Sequence, residues 1–262
     1  MHGRTGSLHR GSYEKKMVQE EIRKIYDDSN HIYGAPKICQ ELKNKGFRIS
    51  ERTVTRYMKE IDIRACYIRP YIITTVSEDF STKLKNMLNE EFDQKEPNAV
   101  WCTDITYIHT REGFVYLSCI MDLFSRKIVG WKLSRDLSTD AIVAAVKESI
   151  RKCRGAKPKL IHTDRGVQYT SEAYIKATEG IQRSYSKKAY PWDNACIESF
   201  HALIKREWLN RFSIKSFEHA YRLVFEYIET FYNTRRIHSH CGYLSPDKYE
   251  EAYFKKIHQN IA

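Results

Sequence analysis

The chain has 262 residues, 42% of them hydrophobic, and carries 44 Lys and Arg against 33 Asp and Glu, giving a formal charge of +11 and a pI near 9.2. That length holds one sizeable α/β core with a smaller satellite, and the basic excess points to a polyanionic partner, nucleic acid first. No run approaches the ~18 apolar residues of a membrane span, no signal-peptide core opens the chain, and seven cysteines without a CxxC pair speak against a disulfide framework or zinc ribbon, so a cytoplasmic protein with no membrane partner is expected.

Residues 16 to 62 read as three short helices. Val18, Ile22 and Ile25 stripe the first. The second runs from Pro36 to Gly46 with Ile38 and Leu42 on its apolar face, Pro just inside the start and Gly just past the end being the usual punctuation. Ser50 is placed to cap the third, which keeps Val54, Tyr57 and Met58 for a core and exposes Arg52, Thr53, Thr55, Arg56 and Lys59. Such a set suits phosphates and base edges, as on a recognition helix, and equally describes a solvated basic face. Residues 1–70 carry 15 basic against 9 acidic side chains, more than half of the whole excess, which favours DNA.

From about 70 to 97 periodicity is lost through a polar connector. Strand patterns follow over Val100–Ile108, Phe114–Leu123 and Lys127–Leu133, the first two joined by a hairpin at Arg111, Glu112 and Gly113. A helix capped by Ser138 runs to Cys153 with Ile142, Ala145, Val146 and Ile150 as its stripe. Then come a strand at Lys159–His162, a helix near Ser171–Thr178, a strand near Ile181–Tyr185 and a long helix from Ala195 to about Leu209. Three antiparallel strands followed by alternating helix and strand define a mixed-sheet α/β domain. A last helix shows Phe217, Tyr221, Val224, Ile228 and Phe231, and Arg235, Arg236 and His238 beyond it are candidates for phosphate contacts or a solvated tail.

Asp104 interrupts the apolar run VWCTDITYI, where an ionised group wants a cation, a metal or a tight hydrogen-bond network. Asp164 ends the fourth strand before Arg165-Gly166, a place that suits a ligand-bearing sheet edge or an ordinary turn. Glu198 lies one turn into the long helix, sharing a face with Lys205, and by itself reads as solvated. Together the three carboxylates suit two Mg²⁺ ions about 4 Å apart, an arrangement for phosphoryl transfer that needs no Walker loop, and none is present. Asp122 reads as a hairpin-turn residue or ion-pair partner and Asp193 as a helix cap or dipole partner. Trp192 and Tyr190, flanked by Lys187 and Lys188, suit either core packing or bracing of a DNA end.

The blocks WCTDITYI, DLFSRKIVGW, HTDRGVQYTS, WDNACIESFHALIK and YNTRRIHSHCGYLSP, preceded by YGAPKICQELKNKG, ERTVTRYMKE and LNEEF, resemble the second-frame transposase of two-frame bacterial insertion sequences, a relative of retroviral integrases. The likeness spans about residues 17 to 250. It implies a ribonuclease H-like mixed five-stranded sheet with flanking helices, preceded by a small all-α helix-turn-helix domain. Boundaries are expected at 1–69 for the DNA-binding region, 70–97 for the connector, 98–213 for the catalytic core and 214–262 for the C-terminal helix and basic tail.

The resemblance further implies catalysis and metal binding by Asp104, Asp164 and Glu198 with two Mg²⁺ or Mn²⁺ ions, and it sets Lys205, His162, Gln168 and Asn194 around the DNA end. Double-stranded DNA is the implied partner, as terminal inverted repeats and as target, bound by a homo-oligomer associated with the nucleoid and with a protein from an upstream reading frame. A stand-alone nuclease of the same fold and a catalytically silent DNA-binding regulator are the rival readings. One departure stands out: 33 residues separate Asp164 from Glu198 where the family usually has thirty-five.

Overall fold

The computed structural model describes residues 5–65, 84–187 and 191–261, and the chain divides into two compact units, Met1–Pro70 and Tyr71–Ala262. In the first unit α1 (Thr5–Asp28), α2 (Ala35–Asn44) and α3 (Glu51–Glu60) bury Ile22, Ile25, Ile38, Leu42, Val54 and Met58 together. Ser50 caps α3, its hydroxyl accepting from the Thr53 amide at 3.2 Å. Gly46 takes φ +89°, which lets the chain leave α2 while its amide bonds back to Lys43. Helix α1 begins some ten residues earlier than its apolar stripe announces, because GSLHRGSYEKK offers no stripe to read. Tyr57 is half-buried rather than core, with Arg56 and Lys15 near its ring at 5.2 and 5.5 Å.

The second unit is built on a five-stranded mixed sheet of β1 (Val100–Thr110), β2 (Gly113–Asp122), β3 (Ile128–Ser134), β4 (Leu160–Thr163) and β5 (Gln182–Tyr185), ordered β3-β2-β1-β4-β5. The first three strands are antiparallel, and β4 and β5 join parallel to β1. Helices α4 (Thr139–Lys152) and α5 (Glu172–Ala177) supply Ile142, Ala145, Val146 and Tyr174 to a core with Trp101, Ile120, Val129 and Ile161. Gly130 on β3 lets α4 approach closely: a Cβ there would stand 1.9 Å from Ser149 Oγ and 2.9 Å from the Ala145 carbonyl oxygen. Ser138 occupies the N-cap of α4 but makes no side-chain capping bond. Residues 84–88 are not a free connector; they dock on β5, the Tyr185 amide donating to the Lys85 carbonyl and Ser184 Oγ accepting from the Met87 and Leu88 amides.

Helix α6 (Ala195–Glu207) lies against β1. Helix α7 (Phe217–Phe225) runs into a π-helical stretch, Glu226–Tyr232, and the two bury Ala220, Leu223, Val224, Tyr227, Ile228 and Phe231. The buried stripe is therefore rotated from the one read in the sequence, and Tyr221 is 46% exposed beside Trp131. The C-terminal segment is a helix, α8 (Pro246–Ile261), clamped by Tyr249 stacked on Phe124 and by Lys127 between Asp247 and Glu250. Among the described residues no helix is long and apolar enough to cross a membrane.

Candidate active site

The sheet register brings Asp104 and Asp164 side by side. Strands β1 and β4 are parallel neighbours with Cys102 opposite His162, so the residues two further on, Asp104 and Asp164, leave the same edge of adjacent strands. Asp104 is half-buried at the middle of β1, and Asp164 stands just past β4, where its Oδ1 accepts from the Gly166 amide at 2.9 Å. A Cβ on Gly166 would press on that same Oδ1 at 3.1 Å, which makes glycine the fitting residue at this tight turn. Helix α6 adds Glu198, His201 and Lys205 at i, i+3 and i+7, one face of the helix.

The electrostatics record how close the acids are. Burial, and then Asp104, push the Asp164 carboxyl up to about 6, while burial, Asp104 and Asp164 in that order raise Glu198. His201 is buried, with Nδ1 3.3 Å from Asp104 Oδ2 and Nε2 without a hydrogen-bond partner. Lys205 is half-buried with Nζ 4.3 Å from the Tyr107 ring centroid; burial lowers its pKa and Asp104 partly offsets this. Three carboxylates, two of them held toward the neutral form by burial and by the neighbouring acids, fit a divalent cation by their chemistry. Among the described residues, however, no three His, Cys, Asp or Glu side chains already stand in a ligating group.

The other sequence candidates fare differently. His162 is fully buried, its Nδ1 2.8 Å from Ser184 Oγ and its Nε2 3.0 Å from Ser186 Oγ. Ser184 Oγ already accepts two amides, so its proton goes to Nδ1 and the ring donates from Nε2; burial pushes this imidazole down to about 4. His162 thus ties β4 to the chain after β5 and presents nothing to DNA, a correction to the sequence reading. Arg236 is corrected likewise: it is buried in a two-pronged ion pair with Glu207, at 2.8 and 2.6 Å, beside Tyr227, whose hydroxyl donates to the same carboxylate. Arg235 is exposed.

Asn194 is buried at the N-cap of α6 with Oδ1 unpartnered, and Gln168 is half-buried with Nε2 3.4 Å from the Leu137 carbonyl oxygen. Asn194 rather than Asp193 holds the N-cap position of α6, and Asp193 Oδ2 accepts from the Lys187 amide at 2.6 Å. Lys187 is exposed, Trp192 is 66% exposed and so not packed in the core, and Lys188 and Tyr190 lie outside the described residues. Arg52, Arg56 and Lys59 are exposed along α3 of the first unit. Asp122 is the turn residue expected, accepting from the Asn98 and Ser125 amides. Sequence reasoning missed His201, whose one signal was its place a helical turn after Glu198, and Glu207, which had none.

Sheet order and the edge position of the acids define the integrase-core class of nucleic-acid-processing fold. Integrase core domain families match residues 94–191 and 179–246, and an HTH-like domain family matches 12–71. The transposase for insertion sequence element IS904 from Lactococcus lactis is 35% identical over 91% of this chain and 95% of its own length. Transposase InsF for insertion sequence IS3A from Escherichia coli is 34% identical over 85% and 78%. A simian T-cell lymphotropic virus intasome chain, solved in complex with PP2A regulatory subunit B56 gamma, shares the fold at TM-score 0.50 and 14% identity, over 87% of this chain and 74% of that one. The chain belongs to the transposases of the IS3 family of insertion sequences.

Proposed function

We propose that this transposase nicks the ends of its element and joins the freed 3′-hydroxyl to a second phosphodiester, with Asp104, Asp164 and Glu198 holding two Mg²⁺ or Mn²⁺ ions. What supports this reading is that Asp104 on β1, Asp164 just past β4 and Glu198 on α6 lie near enough for Asp104 to raise both of the others. When bound, the ions lower the pKa of the attacking water or hydroxyl and offset charge on the leaving oxygen. Asp104 on β1 and Asp164 just past β4 would supply two of the ligands, and Glu198 the third from α6. His201 holds Oδ2 of Asp104 and leaves its other oxygen for a ligand. Lys205 offers its ammonium to a phosphate of the DNA end.

In the joining step the 3′-oxygen forms a new P–O bond, the old 3′-oxygen leaves with the displaced strand, and one phosphodiester replaces another without ATP or a covalent enzyme intermediate. The exposed Arg52, Arg56 and Lys59 of α3 serve to read or grip terminal-repeat DNA, with Lys187 and Arg235 as further phosphate contacts. Two ends call for more than one copy of the chain, with or without the upstream-frame protein. A labelled terminal repeat incubated with target plasmid and Mg²⁺ tests the assignment. Joined product identifies a transposase, cleavage without joining identifies a nuclease, and binding without either identifies a silent regulator.

A further inference from the structure

The β1–β2 hairpin carries an aromatic face that the chemistry above does not use. Tyr107 and His109 project to one side of β1, and across the antiparallel register Tyr107 faces Tyr116 while His109 faces Phe114. The Phe114 ring stands edge-on to Tyr107 and His109, centroids 5.4 and 5.3 Å apart. Both Tyr107 and Phe114 nevertheless remain 56% and 52% exposed. Tyr107 lies three residues from Asp104, about 10 Å along the strand, where alternation turns the two side chains to opposite faces of β1, and the patch is linked to the site by Lys205, whose ammonium contacts the Tyr107 ring.

We propose that Tyr107 and Phe114 form a stacking seat for an unpaired base at the DNA strand end, with Lys205 pairing to the adjoining phosphate. The inference rests on the DNA-joining reading of the neighbouring acids. Aromatic side chains stack on any base because every base has a π-face, and an ammonium at the border supplies the charge that the nucleotide's phosphate requires. A purely apolar cover, such as a second copy of this hairpin, would bury the half-buried Lys205 ammonium further while matching only the rings and not the charge. A nucleotide satisfies both halves of the surface at once.

The full chain is titrated with a blunt duplex and with the same duplex bearing a short unpaired 3′ tail that contains 2-aminopurine. Wild-type protein binds the tailed duplex more tightly and quenches the probe. Tyr107→Ala and Phe114→Ala lose about fivefold to a hundredfold of that preference, with blunt binding unmoved, and Tyr107→Phe keeps it. Tyr107→Leu, which retains apolar bulk without a π-face, gives the same loss where an alanine variant fails to fold. Undiminished preference and quenching in Tyr107→Leu overturn the seat while leaving the DNA-joining reading standing. Failure of wild-type protein to bind either duplex overturns both. Dissociation of an oligomer in Tyr107→Leu by light scattering, with tail preference unchanged, assigns the face to a second copy and likewise overturns the seat.

Discussion

His201 Nδ1 lies 3.3 Å from Asp104 Oδ2, and the rest of the imidazole is buried, with Nε2 unpartnered. Its ring also lies against that of Phe200, centroids 5.8 Å apart. Replacing His201 by Phe removes the donor but keeps the ring volume, and should weaken Mn²⁺ binding by about 10- to 100-fold, the usual effect of losing a partner behind a metal ligand. His201→Asn, which can place an N–H near the former Nδ1, should recover part of that loss. Mn²⁺ titration followed by electron paramagnetic resonance reads both, and equal affinity in wild type and His201→Phe would remove His201 from the site.

Asp164 costs the fold stability at neutral pH when no cation is bound. Asp164 is pushed up to about 6, above the ordinary value near 3.8, so the folded state disfavours its ionised form. The contribution is fully present below the unfolded value and is lost as pH rises through about 6. Asp164→Asn should accordingly match wild type near pH 4 and exceed it by about 1–2 kcal/mol at pH 7 in chelator. Asp122, also pushed up to about 6 by burial, titrates in the same window in both proteins and cancels in the difference. Urea melts at the two pH values check this, and a variant less stable than wild type at pH 7 would contradict it.

Arg236 and its neighbour Arg235 should behave oppositely. Arg236→Ala takes the cation away from the buried Glu207 carboxylate, an expected loss of about 3–5 kcal/mol, whereas Arg235→Ala should stay within about 0.5 kcal/mol. Thermal melts separate the two. Comparable melts for both would mean that the buried pair contributes nothing to folding.

Gly130→Ala tests the seam between β3 and α4. The added methyl meets the Ala145 carbonyl as well as Ser149 Oγ, and the backbone cannot yield, so a loss of about 1–3 kcal/mol is expected. Adding Ser149→Ala should return only part of it. Full recovery in the double variant would show that the side chain alone sets the approach.

What the sequence made legible follows from range. Ser50, Pro36 and Gly46 act on the nearest backbone, and the structure uses them near the positions read, Pro36 falling within the first turn of α2. The five strands were readable because the strand patterns and the family blocks agree on them, whereas their order in the sheet came only with the structure. Asp104 announced itself as a carboxylate in an apolar strand. The burial of His162 and Arg236 was not readable, since it depends on Ser184 and Ser186 across β5 and on Glu207 from another helix. The docking of residues 84–88 on β5 was hidden for the same reason, because backbone bonding to a sheet edge leaves no mark on side-chain periodicity. Exposure of Trp192 removes the core-packing reading that its sequence neighbours left open.

The most direct measurement is Mg²⁺-dependent cleavage and joining of a labelled terminal repeat by Asp104→Asn, Asp164→Asn and Glu198→Gln, alongside gel-shift binding of the same DNA. Each variant should lose about a hundredfold or more of both reactions while binding the repeat as wild type does. Wild-type rates of cleavage and joining in any one of the three would contradict the assignment of that acid to the metal site.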